Sequence, residues 1–248
     1  MASASATGSA RAPNRLLVKE KSNLGELLMS SMGHRTRPSR RLLLAAVPAV
    51  LLAPALARAQ SCCGPVTPNG ERLVQMLDAS GVEHLWLPYK HVNWETGEID
   101  NDPYGKPAAT HCSAFVASFA KRLGVYILRP PEHSAVLLAN AQMRWLTFDG
   151  ASSGWRRLSD STAAQQSANQ GNLVVAVFEN PDPHKPGHIA FVRPGTPGAA
   201  RLAEEGPNVT QAGATNAISI PLKRAFSHHH GAWPDQLRYF EHSVGWST

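Results

Sequence analysis

The sequence lacks an excess of Lys and Arg after residue 59, although the whole chain has a formal net charge of +6. Nine Lys and Arg and two Glu lie within positions 1–59, a net of +7, so residues 60–248 carry the remaining −1. Steering of nucleic-acid phosphates needs a retained positive field. We therefore expect no nucleic-acid partner.

Cysteine is also scarce, and the three residues present are Cys62, Cys63 and Cys112. An odd number in a chain bound for an oxidising compartment leaves two interpretations open. Either one of the first two pairs with Cys112, or Cys112 is a free thiol. Cys62 and Cys63 lie in a Gly/Pro-rich stretch that we expect to be loose.

Residues 1–59 are predicted to be a disordered N-terminus followed by an export signal peptide. Arg35, Arg37, Arg40 and Arg41 precede the apolar run 42–56, and Ala57-Arg58-Ala59 matches an A-x-A cleavage site before Gln60. The run is short and contains two prolines, which favours a cleaved peptide over a permanent membrane anchor. We predict a periplasmic or extracellular protein. Sec or twin-arginine export, and a start at Met1 or Met32, stay open.

Residues 60–70 are predicted to be a linker, and residues 71–248 a single domain without internal repeats. Periodic apolar spacing predicts helices over 71–80, 110–123, 134–145 and 161–168. Thr110 is expected to cap the second of these helices, and Gly124 to end it. Apolar runs predict strands over 173–178, 188–193, 209–213 and 217–221. Helices followed by strands indicate an α+β fold.

An aromatic segment, 82–103, precedes the second predicted helix and contains Trp86, Tyr89 and Trp94. Stacking on sugars and packing in the core are both compatible with these side chains. Core or lid packing is favoured because aromatic side chains bury large areas.

Cys112 and His188 are the candidate catalytic pair. Cys112 lies in the first turn of a predicted helix, where unpaired N–H groups and the helix dipole favour a thiolate. His188 begins a strand directly after Gly187 and could act as the base in a thiolate–imidazolium pair. Ala190, on the same strand face as His188, would let a helix approach closely.

The sequences THCSAFV and PGHIAFV resemble the nucleophile and histidine motifs of the NlpC/P60 and CHAP members of the papain-like superfamily. The resemblance covers Tyr104 to Gln211. It implies a papain-like fold with the nucleophile helix packed on a small antiparallel sheet. It also implies amide hydrolysis through a thioester, with peptidoglycan stem peptides as substrate and no cofactor. Whether an immunity or inhibitor protein exists stays open.

The same resemblance implies a third polar residue that orients the histidine, and an upstream oxyanion donor. Gln211 is preferred for the first role, with Asn208 and Glu205 as alternatives. Tyr104 and the backbone N–H of Cys112 are the candidates for the second.

Two further histidine-containing segments are assigned no catalytic role. His111 is expected to be a bystander beside Cys112. The run His228, His229 and His230 could form a zinc site with His184 and His188, but an exposed polar turn is favoured because consecutive side chains diverge. The rival function is a non-catalytic module that binds cell wall or glycan, with Cys112 in a disulfide.

Overall fold

A six-stranded antiparallel sheet is the centre of the fold in the computed structural model, which describes residues 62–102 and 105–246. In chain order the strands are β1 (Arg156–Leu158), β2 (Leu173–Phe178), β3 (His188–Val192), β4 (Asn208–Ala212), β5 (Asn216–Pro221) and β6 (Arg238–His242). Their order across the sheet is β1-β6-β2-β3-β4-β5, and every pairing is antiparallel. The predicted leader lies outside the described residues.

Helices cover the sheet. They are α1 (Pro68–Asp78), α2 (Cys112–Arg122), α3 (Leu138–Phe148), α4 (Ser161–Asn169), α5 (Ala199–Glu205) and α6 (Leu222–Ala225). The protein is therefore a mixed helix and antiparallel-sheet structure, and the predicted α+β class is confirmed. No helix among the described residues is long and apolar enough to cross a bilayer.

The sheet separates two buried clusters, because successive side chains of a strand point to opposite faces. Ile189 and Phe191 of β3 belong to the cluster that contains α2, and we call this side the α2 face. Ala190 and Val192 belong to the cluster that contains Phe226, and we call this side the α6 face. All six residues of β2 are buried, as expected for a central strand covered on both sides.

Helix α2 packs on the α2 face through an aromatic row. The rings of Phe115 and Phe119 lie 5.8 and 5.1 Å from that of Phe191. The helix predicted from periodic apolar spacing over 110–123 is thus confirmed, with Phe115 and Phe119 on its buried side. The helix ends at Arg122, and Gly124 adopts φ +70° just beyond, as expected for a glycine stop signal.

Three predicted helix starts are wrong. Helix α1 begins at Pro68, inside the predicted linker, because the Thr67 hydroxyl accepts a hydrogen bond from the Gly70 N–H at 3.2 Å. Helix α3 begins at Leu138, because Leu137 has a left-handed φ of 52° that interrupts any earlier start. Helix α2 begins at Cys112 without a side-chain cap, so Thr110 does not cap it.

Residues 82–102 contribute Trp86 to the core, together with Val82 and Val92, and the partly buried Trp94 packs against it. Trp86 is 1% exposed, packs edge-on against Phe115 at 5.2 Å, and donates its indole N–H to the carbonyl of Trp94 at 2.9 Å. Tyr89 is 69% exposed. The preference for core packing over sugar stacking is therefore confirmed for Trp86.

Candidate active site

Cys112 is a free thiol at the first position of α2, whereas Cys62 and Cys63 form a disulfide with each other. The alternative in which Cys112 is part of a disulfide is therefore wrong. The 62–64 segment is not loose, because the Asn169 amide at the end of α4 donates to the carbonyls of Cys63 and Gly64 at 3.3 and 3.0 Å.

Hydrogen-bond donors surround the sulfur of Cys112. It accepts from the backbone N–H groups of Ile189 and Ser113, and from the hydroxyl of Thr110. Each of these bonds favours the thiolate, but burial has the larger effect and raises the pKa of Cys112 above its ordinary value. The resting site therefore holds a protonated thiol at neutral pH.

His188 begins β3 and has one well-defined partner. Its Nε2 lies 2.7 Å from Oε1 of Gln211, whose amide nitrogen in turn donates to the Thr215 carbonyl at 2.9 Å. Since the amide oxygen can only accept, Nε2 of His188 carries the proton. Nδ1, the ring nitrogen closer to the main chain, is then the basic nitrogen of the neutral imidazole.

Cys112 and His188 both lie near the start of β3, on opposite faces of the sheet. The imidazole points to the α6 face, where its ring packs edge-on against Phe226 at 4.7 Å. The sulfur belongs to the cluster on the α2 face and contacts the N–H of Ile189, the residue directly after His188. The Cys112 and His188 side chains therefore lie on either side of the His188–Ile189 peptide.

The expected role of Ala190 is wrong. Ala190 is buried on the α6 face, and α2 instead packs on the large side chains of Ile189 and Phe191. Strand alternation decides this, because the residue that faces the helix next to His188 is Ile189.

Burial also decides the charge of the histidine. It lowers the pKa of His188 to about 4, although the bond from Gln211 acts in the opposite direction. A low-dielectric site penalises both charged forms, so neutral thiol and neutral imidazole are favoured together. The thiolate–imidazolium pair expected from the sequence is not the favoured resting state.

Of the three candidates for the orienting residue, Gln211 is the one whose side chain contacts His188. Asn208 instead donates its amide to the Ser219 hydroxyl and accepts from Arg201. Glu205 forms an ion pair with Arg201 at 3.2 Å. Tyr104, the candidate oxyanion donor, lies outside the described residues.

A cleft of about 340 Å³ opens at Cys112. Most of its lining side chains are small or aliphatic, and Lys106 is the charged residue among them. The lining residues are 106–110, Cys112, Ser113, 135–139, Pro186 and Gly187. A substrate carbonyl could reach the sulfur from this side.

Gly187 allows the chain to pass close to Phe178 and Asn140 as it enters β3. A Cβ at this position would lie 2.2 Å from the carbonyl oxygen of Phe178 and 2.4 Å from Oδ1 of Asn140. Asn140 also holds the preceding loop, because it donates to the Lys185 carbonyl at 2.9 Å and accepts from the Asn180 N–H at 3.1 Å. Asn140 is thus a positioning residue that no sequence signal indicated.

His229 is the other residue that the sequence analysis missed. His228 and His230 are exposed, as an exposed turn requires, but His229 is partly buried and stacks on His188 at 5.3 Å. The prediction of an exposed turn is therefore wrong for the middle residue.

The remaining histidines lie in other environments. The ring of His111 bonds through Nε2 to the carbonyl of Lys90 at 3.0 Å, which fixes the 90s segment beside α2. Within 62–102 and 105–246, no three His, Cys, Asp or Glu side chains converge as metal ligands would.

Substituting Gln211 should change the titration of His188. Gln211→Glu places a negative charge beside the ring and should raise the His188 pKa from about 4 by about 1–3 units. Gln211→Ala removes the bond that favours the charged form and should lower the pKa further. Histidine NMR titration measures both changes, with Asn208→Ala as a control that should leave His188 unchanged. Equal titration curves in all four proteins would contradict an orienting role for Gln211.

No protein-family model matches the sequence, and no curated protein is significantly similar to it.

Proposed function

We propose that this protein is an exported cysteine hydrolase of the NlpC/P60 and CHAP type, with a papain-like fold, that cleaves amide bonds. The observation that carries the proposal is the junction at the start of β3. The Cys112 sulfur, at the head of a helix, bonds to the peptide N–H directly after His188, and Gln211 holds the far nitrogen of that histidine. A nucleophile, a base and an orienting group are the parts that thioester chemistry requires.

The proposed reaction begins with a thiol and a neutral imidazole. Because the two side chains start on opposite faces of the sheet, the proposed transfer requires one of them to move around the start of β3. Nδ1 of His188 then accepts the proton of Cys112 as the sulfur attacks the substrate carbonyl, and Gln211 stabilises the imidazolium through Nε2–H. The backbone N–H of Cys112, at the positive end of α2, is a donor for the developing oxyanion. The C–N bond then breaks, and the imidazolium gives its proton to the leaving amine.

A water molecule completes the cycle. His188 accepts a proton from this water as the water attacks the thioester carbonyl, and the C–S bond breaks to release a carboxylic acid. The sulfur then recovers its proton from the imidazolium.

The proposed substrate is a peptidoglycan stem peptide. The proposal is supported by the predicted export signal, the motif resemblance and a cleft with predominantly small and aliphatic side chains. Short aliphatic residues fit such a lining better than large charged ones, and Lys106 offers a cation for a substrate carboxylate.

Digestion of purified peptidoglycan tests this proposal. Wild-type protein should release fragments whose masses report hydrolysis of one type of amide bond, and Cys112→Ser should release none above background. Mass spectrometry of the soluble fragments identifies the bond. Equal release by wild type and by a correctly folded Cys112→Ser variant would contradict a cysteine mechanism. Absence of any release by the wild type would contradict the substrate assignment.

A further inference from the structure

A second imidazole covers the proposed base on the α6 face. The rings of His229 and His188 are nearly parallel, with centroids 5.3 Å apart and an angle of 13° between their planes. Phe226 completes the enclosure, since its ring meets His188 at 4.7 Å and His229 at 6.3 Å. His188 is thus held between a stacked ring and an edge-on ring.

The backbone fixes His229 in this place. Its N–H donates to the carbonyl of Phe226 at 2.9 Å, and its carbonyl accepts from the N–H of Ala232 at 3.0 Å. Both ends of the turn are therefore hydrogen-bonded. Phe178, the cross-strand partner of His188 on β2, also contacts the His229 ring at 5.6 Å. The stacked ring is anchored by α6 and by the sheet.

We infer that His229 is a positioning residue for His188: its ring holds the His188 imidazole in the plane that bonds Gln211 and keeps water from that face. This role rests on the proposed function of His188 as a base. It assigns no contact with substrate to His229. Stacking of the His229 ring restricts rotation of the His188 ring about its Cβ–Cγ bond. A hydrogen bond at Nε2 alone would restrict this rotation less.

The charges around the stack are consistent with this role. The titratable neighbour of the His188 ring in this stack is His229. The titratable neighbours of His229 are His188 and the exposed His228. Burial, followed by the charges of His188 and His228, lowers the pKa of His229 to about 4. At neutral pH the covering ring is therefore uncharged, and it does not oppose protonation of His188 during the reaction.

Three substitutions test the inference by NMR titration of His188 in the Cys112→Ser background. His229→Ala opens the α6 face to water, so the His188 pKa should rise from about 4 toward its ordinary 6.5. His229→Phe keeps a stacked ring without a titrating group, and the His188 pKa should stay near the wild-type value. His228→Ala removes an exposed neighbour and should have little effect. Thermal unfolding of each variant verifies the fold.

Two results would overturn the inference. The first is a His188 titration that is unchanged in His229→Ala, and the second is an equal shift in His229→Phe and His229→Ala. Because these measurements use a protein without the nucleophile, they do not depend on hydrolysis. A failed peptidoglycan digestion would therefore count against the proposed function alone. In the active protein, His229→Ala should lower kcat about 10-fold with little change in KM, which His229→Phe should restore.

Discussion

Replacing His188 with alanine should lower turnover by about 10²- to 10⁴-fold, the range of general acid–base catalysis. The variant retains the thiol but lacks the group that accepts its proton and returns it to the leaving amine. The neutral ring is also the competent form, so wild-type turnover should fall as the pH drops through about 4, the pKa of His188 in the folded protein. Stopped assays of released peptide fragments across pH measure both effects.

Controls separate loss of the base from loss of the fold. Cys112 in His188→Ala should still react with an alkylating agent, because the resting thiol does not depend on an ion pair. His242→Ala, at the end of β6, removes a histidine from another part of the sheet and should retain turnover. A His188→Ala protein with wild-type turnover would remove His188 from the mechanism.

Replacing Phe191 with alanine should lower the free energy of unfolding by about 3–5 kcal/mol, as for other large aromatic truncations in cores. Phe191 is fully buried and joins the sheet to α2 through contacts with Phe115 and Phe119. The cavity left behind cannot collapse easily, because β3 is paired on both sides. Urea unfolding followed by tryptophan fluorescence measures the change.

Phe148→Ala is the matched control for this prediction. The Phe148 side chain is 79% exposed at the end of α3, so its removal should change the unfolding free energy by less than about 0.5 kcal/mol. If Phe191→Ala destabilised the protein no more than Phe148→Ala does, the aromatic row would not be the main contact between helix and sheet.

The best-predicted elements are those with a strong local period. Helix α2 and strand β2 follow directly from the spacing of their apolar residues, and β2 is predicted with its observed bounds. Strands β1 and β6 were not predicted. β1 is only three residues long, and β6 forms its main pairing with β2, more than 60 positions away in the chain.

The residues of the candidate site likewise divide into those predicted from local patterns and those that only distant contacts reveal. Cys112 and His188, the proposed nucleophile and base, were identified because each lies beside a local signal, a helix start for Cys112 and a Gly-His strand start for His188. Gln211 was preferred over Asn208 from the sequence, but only its contact with His188 across the β3–β4 pairing distinguishes the two residues. No local pattern could have found His229, because its contact with His188 spans 41 positions.

The sequence by itself determined that a helix starts near Cys112 and that strands cover residues 173–178 and start at His188. Apolar periodicity and turn residues act over a few positions, so they can be read from a single sequence. Only the tertiary structure decided that Cys112 stays a free thiol, that the imidazole faces the α6 side, and that both groups are neutral at rest. Desolvation and ring stacking depend on neighbours brought from distant elements, and these exist only after the sheet has formed.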